Sequence, residues 1–417
     1  MKDPRDYQVK IIEEAVDVIS RHGFVYLAMQ VRTGKTLTSL WVARELDCQS
    51  VLFVTKKKAM SEIMDDYSEA DCKFAMTVIN YESVTKYAIH KYDMVILDEA
   101  HGMGAFPKPS NRTVEIKNIL FKNNNPKVIF LSGTPSPESF SQLFHQLWVL
   151  GGRSPFASYK NFYVWAKDYV NVVQKKIGSM AVNDYSDANE QKIKGVTSKY
   201  TLSITQTDAG FESQIDEEIL VVKAPQNIVD MAKRLKRDSV IEGKSEVILA
   251  DTGGKMMQKL HQIFSGTVKF ESGNSMVLST YKAEYIKNRF EGQKIGIFYK
   301  FVEELNALKV IFGDNLTTEL AEFNSTGKNI ALQIVSGREG ISLRNAKFLI
   351  FYNIDFSATS YWQARDRMTT KERGYNKVYW IFSHCGIERD IYKVVNEKKN
   401  YTSSHFEREF VSLNTND

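Results

Sequence analysis

Short, continuously apolar runs rich in β-branched residues recur along this chain, and no other feature limits its fold as much. Residues 24–28, 50–55, 94–97 and 128–131 form one set, and residues 294–298, 331–335, 348–352 and 378–382 form another. Between them lie stretches such as 36–46, 302–311 and 360–367, where apolar residues return at three- and four-residue steps. A strand that is apolar at every position needs cover on both faces, and intervening helices supply it in a parallel sheet. The pattern predicts an α/β chain with two lobes, one over 1–145 and one over 255–417. A helical insertion or linker region is expected over 146–254. There, 154–178 is aromatic and helical in character, 180–213 is polar and poorly patterned, and 228–248 reads as one charged amphipathic helix.

At 417 residues the chain is too long for a single compact core. Its 43% hydrophobic and 25% charged content is that of an ordinary soluble globular protein, which excludes wholesale disorder. No apolar run approaches the ~20 residues that cross a bilayer, and the first residues lack the apolar centre of a signal peptide. Cys48, Cys72 and Cys385 are far apart without metal-ligand spacing, so reduced thiols, a cytoplasmic location and no membrane partner are expected. The net charge of +5 permits a polyanionic partner without demanding one.

Functional loops of such sheets sit at the carboxyl ends of the strands. Thr33-Gly34-Lys35-Thr36 follows the first run and opens a helix. A helix N-terminus offers free N–H groups to phosphate, Lys35 adds a point charge, and the Thr36 hydroxyl suits Mg2+. The full phosphate-loop pattern wants glycine at position 29, where this chain has Met29. About sixty residues on, the run 94–97 leads directly into Asp98-Glu99-Ala100-His101. That places two carboxylates at the same sheet edge, Asp98 suited to hold Mg2+ and Glu99 to activate water.

The order of Asp98-Glu99-Ala100-His101, Ser132-Gly133-Thr134-Pro135 and the motifs that follow resembles the superfamily 2 helicases, most closely a compact, phage-like form of the Swi/Snf branch. The resemblance spans nearly the whole chain. It implies two RecA-like lobes with ATP in the cleft between them, ATP and Mg2+ as cofactors, and Lys35, Asp98, Glu99 and Arg367 as the catalytic set. ATP contacts would come from Arg5, Gln8 (reading adenine), Thr33, Gly34, Lys35, Thr36, Gly337 and Gly340, with Thr36 and Asp98 at the metal. His101, Ser132, Thr134 and Gln363 would couple hydrolysis to movement. Thr55, Lys56, Asn80, Tyr81, Phe298 and Ser336 would touch nucleic acid.

The implied activity is an ATP-driven helicase or translocase on duplex, single-stranded or branched DNA. It would act as a monomer, with replication or recombination proteins as partners. A translocase that displaces proteins without unwinding is the alternative, and an RNA helicase a more distant one. The chain departs from the family's pattern after Gln363 and Arg367. Thr370 stands where a second arginine is usual, leaving Arg367, Lys371 and Arg373 as rivals for the γ-phosphate finger. His90, His145, His261 and His384 lie near apolar segments and read as packing residues.

Overall fold

The computed structural model describes residues 3–87, 91–177, 180–210, 214–243, 245–334, 343–357, 364 and 375–396. The chain divides into two compact units, Met1–Phe211 and Glu212–Asp417. Each contains a six-stranded sheet in which every neighbouring pair is parallel.

In the first unit the strands are β1 (Phe24–Met29), β2 (Ser50–Thr55), β3 (Ala75–Asn80), β4 (Met94–Leu97), β5 (Lys127–Leu131) and β8 (Thr201–Ile204), ordered β3-β2-β4-β5-β1-β8. An antiparallel hairpin, β6 (Val173–Ile177) and β7 (Met180–Asp184), stands apart from that sheet. The helices are α1 (Asp6–His22), α2 (Lys35–Glu45), α3 (Met60–Glu69), α4 (Asn111–Lys122), α5 (Gln142–Trp148), α6 (Phe162–Tyr169) and α7 (Glu190–Thr197).

Strand alternation divides the burial between two cores. Phe24 and Tyr26 point into one, with Phe144, Phe156, Phe162 and Trp165 from the segments after β5. Val25 and Leu27 point into the other, against Ile11, Ile12, Ala15 and Ile19 of α1 and Leu40 and Trp41 of α2. The α1 residues form the helical stripe that this burial requires, and the helix stops at Gly23, whose φ of 77° favours a residue without Cβ.

In the second unit the sheet order is β15-β16-β14-β17-β18-β9, from β9 (Gln214–Val222), β14 (Ile295–Tyr299), β15 (Leu316–Thr317), β16 (Asn329–Gln333), β17 (Phe348–Phe351) and β18 (Tyr375–Ser383). Two small hairpins, β10 (Val240–Glu242) with β11 (Val247–Leu249) and β12 (Thr267–Lys269) with β13 (Ser275–Val277), lie outside it. Phe351 and Trp380 stack on neighbouring strands with ring centroids 3.9 Å apart.

The expected middle segment 146–254 is not a body of its own. Its aromatic part completes a core of the first unit, β8 joins that unit's sheet beside β1, and β9 pairs with β18 in the second. Nor is 228–248 one helix. The helix Gln226–Asp238 ends at Ser239, with φ 58°, and the chain turns into β10 and β11. Among the described residues no helix is long and apolar enough to cross a membrane.

Candidate nucleotide site

The sheet order brings the sharpest sequence signals to one edge. β1 delivers the loop 30–34, β4 delivers Asp98 and Glu99, and β5, lying between them, delivers Ser132. Residues distant in sequence therefore share the carboxyl ends of adjacent strands, where α/β sheets place their ligands.

The loop is fixed from within and from α1. Thr33, fully buried, donates from Oγ1 to the Gln30 carbonyl at 2.8 Å. Tyr7 donates its hydroxyl to the Thr33 carbonyl at 2.9 Å. Arg32 and Gly34 take φ of 66° and 78°, turning the backbone sharply before α2 begins at Lys35. The φ of Gly34 is what calls for glycine, and a Cβ there would also lie 2.6 Å from Gln8 Nε2 and displace that amide.

Gln8 itself is 4% exposed. Its Nε2 donates to the Gly34 carbonyl at 3.3 Å and to Thr38 Oγ1 at 3.0 Å, and its Oε1 accepts from Arg5 N at 3.1 Å. The amide assigned by resemblance to adenine is thus engaged with the loop and with the start of α1, where Arg5 caps the helix with its side chain exposed.

Lys35 Nζ donates to Glu99 Oε1 at 2.9 Å, with both side chains mostly shielded from water. Glu99 has φ 49°, a left-handed conformation that is strained for a non-glycine residue and recurs at functional sites. Asp98 is 7% exposed, and its Oδ2 accepts from Thr55 Oγ1 at 2.8 Å. Its backbone carbonyl accepts from the Tyr81 hydroxyl at 2.6 Å. Asp98 Oδ1 and Glu99 Oε2 are buried without a hydrogen bond among the described residues.

His101 Nδ1 lies 3.3 Å from Glu99 Oε2, while its hydrogen bond runs to Ser132 Oγ at 3.0 Å. Ser132 Oγ also accepts from Thr134 N at 3.1 Å. His101, Ser132 and Thr134 are therefore linked in one hydrogen-bonded chain that reaches Glu99 through His101.

The two carboxylates differ electrostatically. Burial raises the Asp98 carboxyl above its usual range, and Glu99 adds to the rise against the opposing pull of Lys35 and Thr55. Burial also pushes Glu99 upward. There the Lys35 charge, together with His101, more than offsets it and holds the carboxyl well below its usual value. Oxygen donors including an orphaned buried carboxylate atom, beside a lysine, fit a hard divalent cation such as Mg2+ together with a phosphate chain. Thr36, at the first turn of α2, is half-buried.

Several expected residues lie elsewhere. Thr55 and Tyr81 are 0% and 2% exposed, turned inward to Asp98, so neither hydroxyl faces a nucleic acid. Phe298 is fully buried in the core of the second unit against Phe351, because β14 is a central strand covered on both faces. Lys56 and Asn80 remain half-buried at the strand ends, and Lys57 and Lys58 beyond β2 are exposed. Gly337, Gly340, Ser336, Gln363, Arg367, Thr370, Lys371 and Arg373 lie outside the described residues. His145 and His261 are buried and pack as expected, bonded to the Ala105 carbonyl and Asn353 Oδ1, whereas His384 is exposed, its Nδ1 accepting from Ala224 N, and His90 is outside the described residues.

Sequence reasoning missed Tyr26 and Gln146. Tyr26 donates to Gln146 Oε1 at 2.7 Å, and Gln146 Nε2 donates to the Pro135 carbonyl at 2.8 Å. This buried brace holds the end of the Ser-Gly-Thr-Pro turn. A tyrosine within an apolar strand run was the available signal, since a buried hydroxyl needs a partner.

Fold and site together define a protein of two α/β units, each built on a six-stranded parallel sheet, the first bearing a Gly-Lys-Thr strand–loop–helix beside an Asp-Glu pair. No protein-family model matches the chain, and neither does any curated protein. Among solved structures it is similar to the SWI2/SNF2 ATPase core of Sulfolobus solfataricus in complex with double-stranded DNA. The identity is 15%, the alignment covers 95% of this chain and 91% of that one, and the TM-score is 0.44. The SWI2/SNF2 ATPase core domain from the same organism gives 15% identity, coverage of 95% and 89%, and a TM-score of 0.43.

Proposed function

We propose that the chain is an ATP hydrolase whose turnover drives movement along duplex or branched DNA. The observation that carries the reading is the Lys35–Glu99 ion pair set beside the orphaned Asp98 oxygen. A phosphate chain approaching the N-terminus of α2 competes with Glu99 for Lys35. Once Lys35 turns to phosphate, Glu99 is released and loses the strongest influence that lowers its carboxyl, so it becomes a better base when substrate arrives. Glu99 then orients water and accepts its proton. The water oxygen forms a bond to the γ-phosphorus as the bond to the bridging oxygen breaks, releasing phosphate and ADP. Thr36 and Asp98 would hold Mg2+, which would neutralise charge developing on the phosphate oxygens.

DNA as the track is supported by the order of motifs that resembles the Swi/Snf branch and by the exposed lysines beyond β2. Arg367 is the proposed finger. The reading is tested by ATP turnover with duplex DNA, single strands, forks and RNA as separate activators. Duplex or forked DNA should stimulate most, and a companion strand-separation assay divides unwinding from movement alone. Stimulation by RNA and not by DNA overturns the choice of track.

A further inference from the structure

The first unit contains a second concave site that the nucleotide reading does not use. It is a cavity of about 240 Å³, walled by Phe144, Trp148, Phe156 and Tyr159, with Lys117 and Lys160 at its margin. Arg153, in the turn after α5, donates to the carbonyls of Gly23 and Pro126 at 3.1 and 2.9 Å. Those residues precede β1 and β5, so this segment is anchored at the amino ends of strands whose carboxyl ends carry the phosphate loop and Ser132.

The cavity's chemistry is lopsided. Lys117 Nζ stands 3.4 Å from the centroid of the Trp148 ring, a cation–π contact. Burial lowers the Lys117 ammonium from its ordinary value, so the cation there is under-solvated. Lys160 is exposed, and among the described residues neither lysine pairs with a carboxylate. Tyr159, the polar aromatic of the wall, turns its hydroxyl to Asp168 at 2.9 Å and leaves its ring to the cavity. The outer face of α4 continues the surface, with Phe121 77% and Val114 37% exposed, one heptad apart and on the same side as Lys117.

We propose that this cavity and the outer face of α4 dock a segment of a partner protein that presents one aromatic side chain flanked by carboxylates. The volume is below that of a drug-sized ligand pocket and suits a single ring. Aromatic walls receive the ring, and the two unpaired lysines meet the acids. A nucleic-acid strand is disfavoured because it carries a charge at every nucleotide and calls for a row of cations, not two. The site is independent of the nucleotide reading, since none of its residues belongs to the phosphate-loop edge.

The experiment is calorimetric titration of the full chain with three probes: the end-blocked peptide Asp-Glu-Phe-Asp-Glu, its neutral counterpart Asn-Gln-Phe-Asn-Gln, and AMP. The acidic peptide should bind and the neutral one should not. Lys160→Glu, on an exposed side chain that leaves folding intact, should weaken the acidic peptide at least about tenfold, since it removes one charge-assisted contact and sets a like charge in its place. Lys117→Glu should do the same. Equal binding of both peptides, no effect of Lys160→Glu, or displacement of the acidic peptide by AMP overturns the proposal.

Discussion

Thr55 and Tyr81 each direct a buried hydroxyl at Asp98, one to its carboxylate and one to its carbonyl. They are supports of the acidic pair, which gives their substitution a distinctive outcome. Thr55→Val keeps the shape but leaves a buried carboxylate oxygen unbonded, so half-saturation for Mg2+ in ATP turnover should rise while DNA affinity stays unchanged. A loss of DNA affinity with unaltered Mg2+ dependence would return Thr55 to the nucleic-acid contacts.

The Lys35–Glu99 pair predicts a pH signature. Glu99 is depressed in the free protein and rises once Lys35 leaves it, so the acid limb of kcat should fall at higher pH than that of kcat/KM. The same depression makes the pair's contribution to stability one that is present above the unfolded carboxyl pKa and lost as pH falls through the lower folded value. Coincident acid limbs contradict the release of Glu99. The chemical types at the site were legible in the sequence because Gly34-Lys35-Thr36 and Asp98-Glu99 are local strings. The partners of Gln8, Thr55 and Tyr81 were not, because burial direction at a strand end depends on what the neighbouring strand supplies.

Among the elements, the same distinction between local and long-range information recurs. Central strands announced themselves as apolar runs. β9 did not, since Gln214-Ile215-Asp216-Glu217-Glu218 mixes charge into a strand at the sheet margin, where Asp216 and Glu218 pair with Lys377 of β18. Ser239 ended its helix by a left-handed turn that no glycine or proline marked.

In the second unit, Lys282, in the first turn of the helix Tyr281–Arg289, is fully buried against the equally buried Glu388, with Nζ to Oε1 at 2.8 Å. The Ile381 carbonyl accepts from the same Nζ at 3.1 Å, so this pair fastens that helix to β18 and to the helix Glu388–Asn396. Lys282→Met strands a buried carboxylate and should destabilise by about 3–5 kcal/mol, read from urea unfolding. The double variant with Glu388→Leu should recover most of that loss. An unchanged midpoint in the single variant contradicts the role assigned to the pair.

At the scale of the whole molecule, the two parallel sheets were legible as a repeated alternation, and the division at Phe211–Glu212 was not. β8 and β9 lie on either side of it and are pulled into different sheets by pairing partners far away in sequence. The reading of the chain as a DNA motor predicts binding dominated by backbone phosphates, so affinity should fall steeply between low and moderate salt with little base preference. Tight, salt-insensitive binding to one short sequence contradicts it. Arg367→Ala should abolish DNA-stimulated turnover while sparing ATP binding. Loss through Arg373→Ala alone transfers the finger beyond Thr370.

The central claim is that the loop after β1 and the acidic pair after β4 form a hydrolytic ATP site, and phosphate release measures it most directly. Wild-type protein and Glu99→Gln are compared at saturating ATP and Mg2+ with duplex DNA present, and ATP binding is measured in parallel. The account predicts that Glu99→Gln retains nucleotide while turnover falls by roughly 10²-fold or more, the loss of a general base. Turnover by Glu99→Gln at the wild-type rate would contradict it.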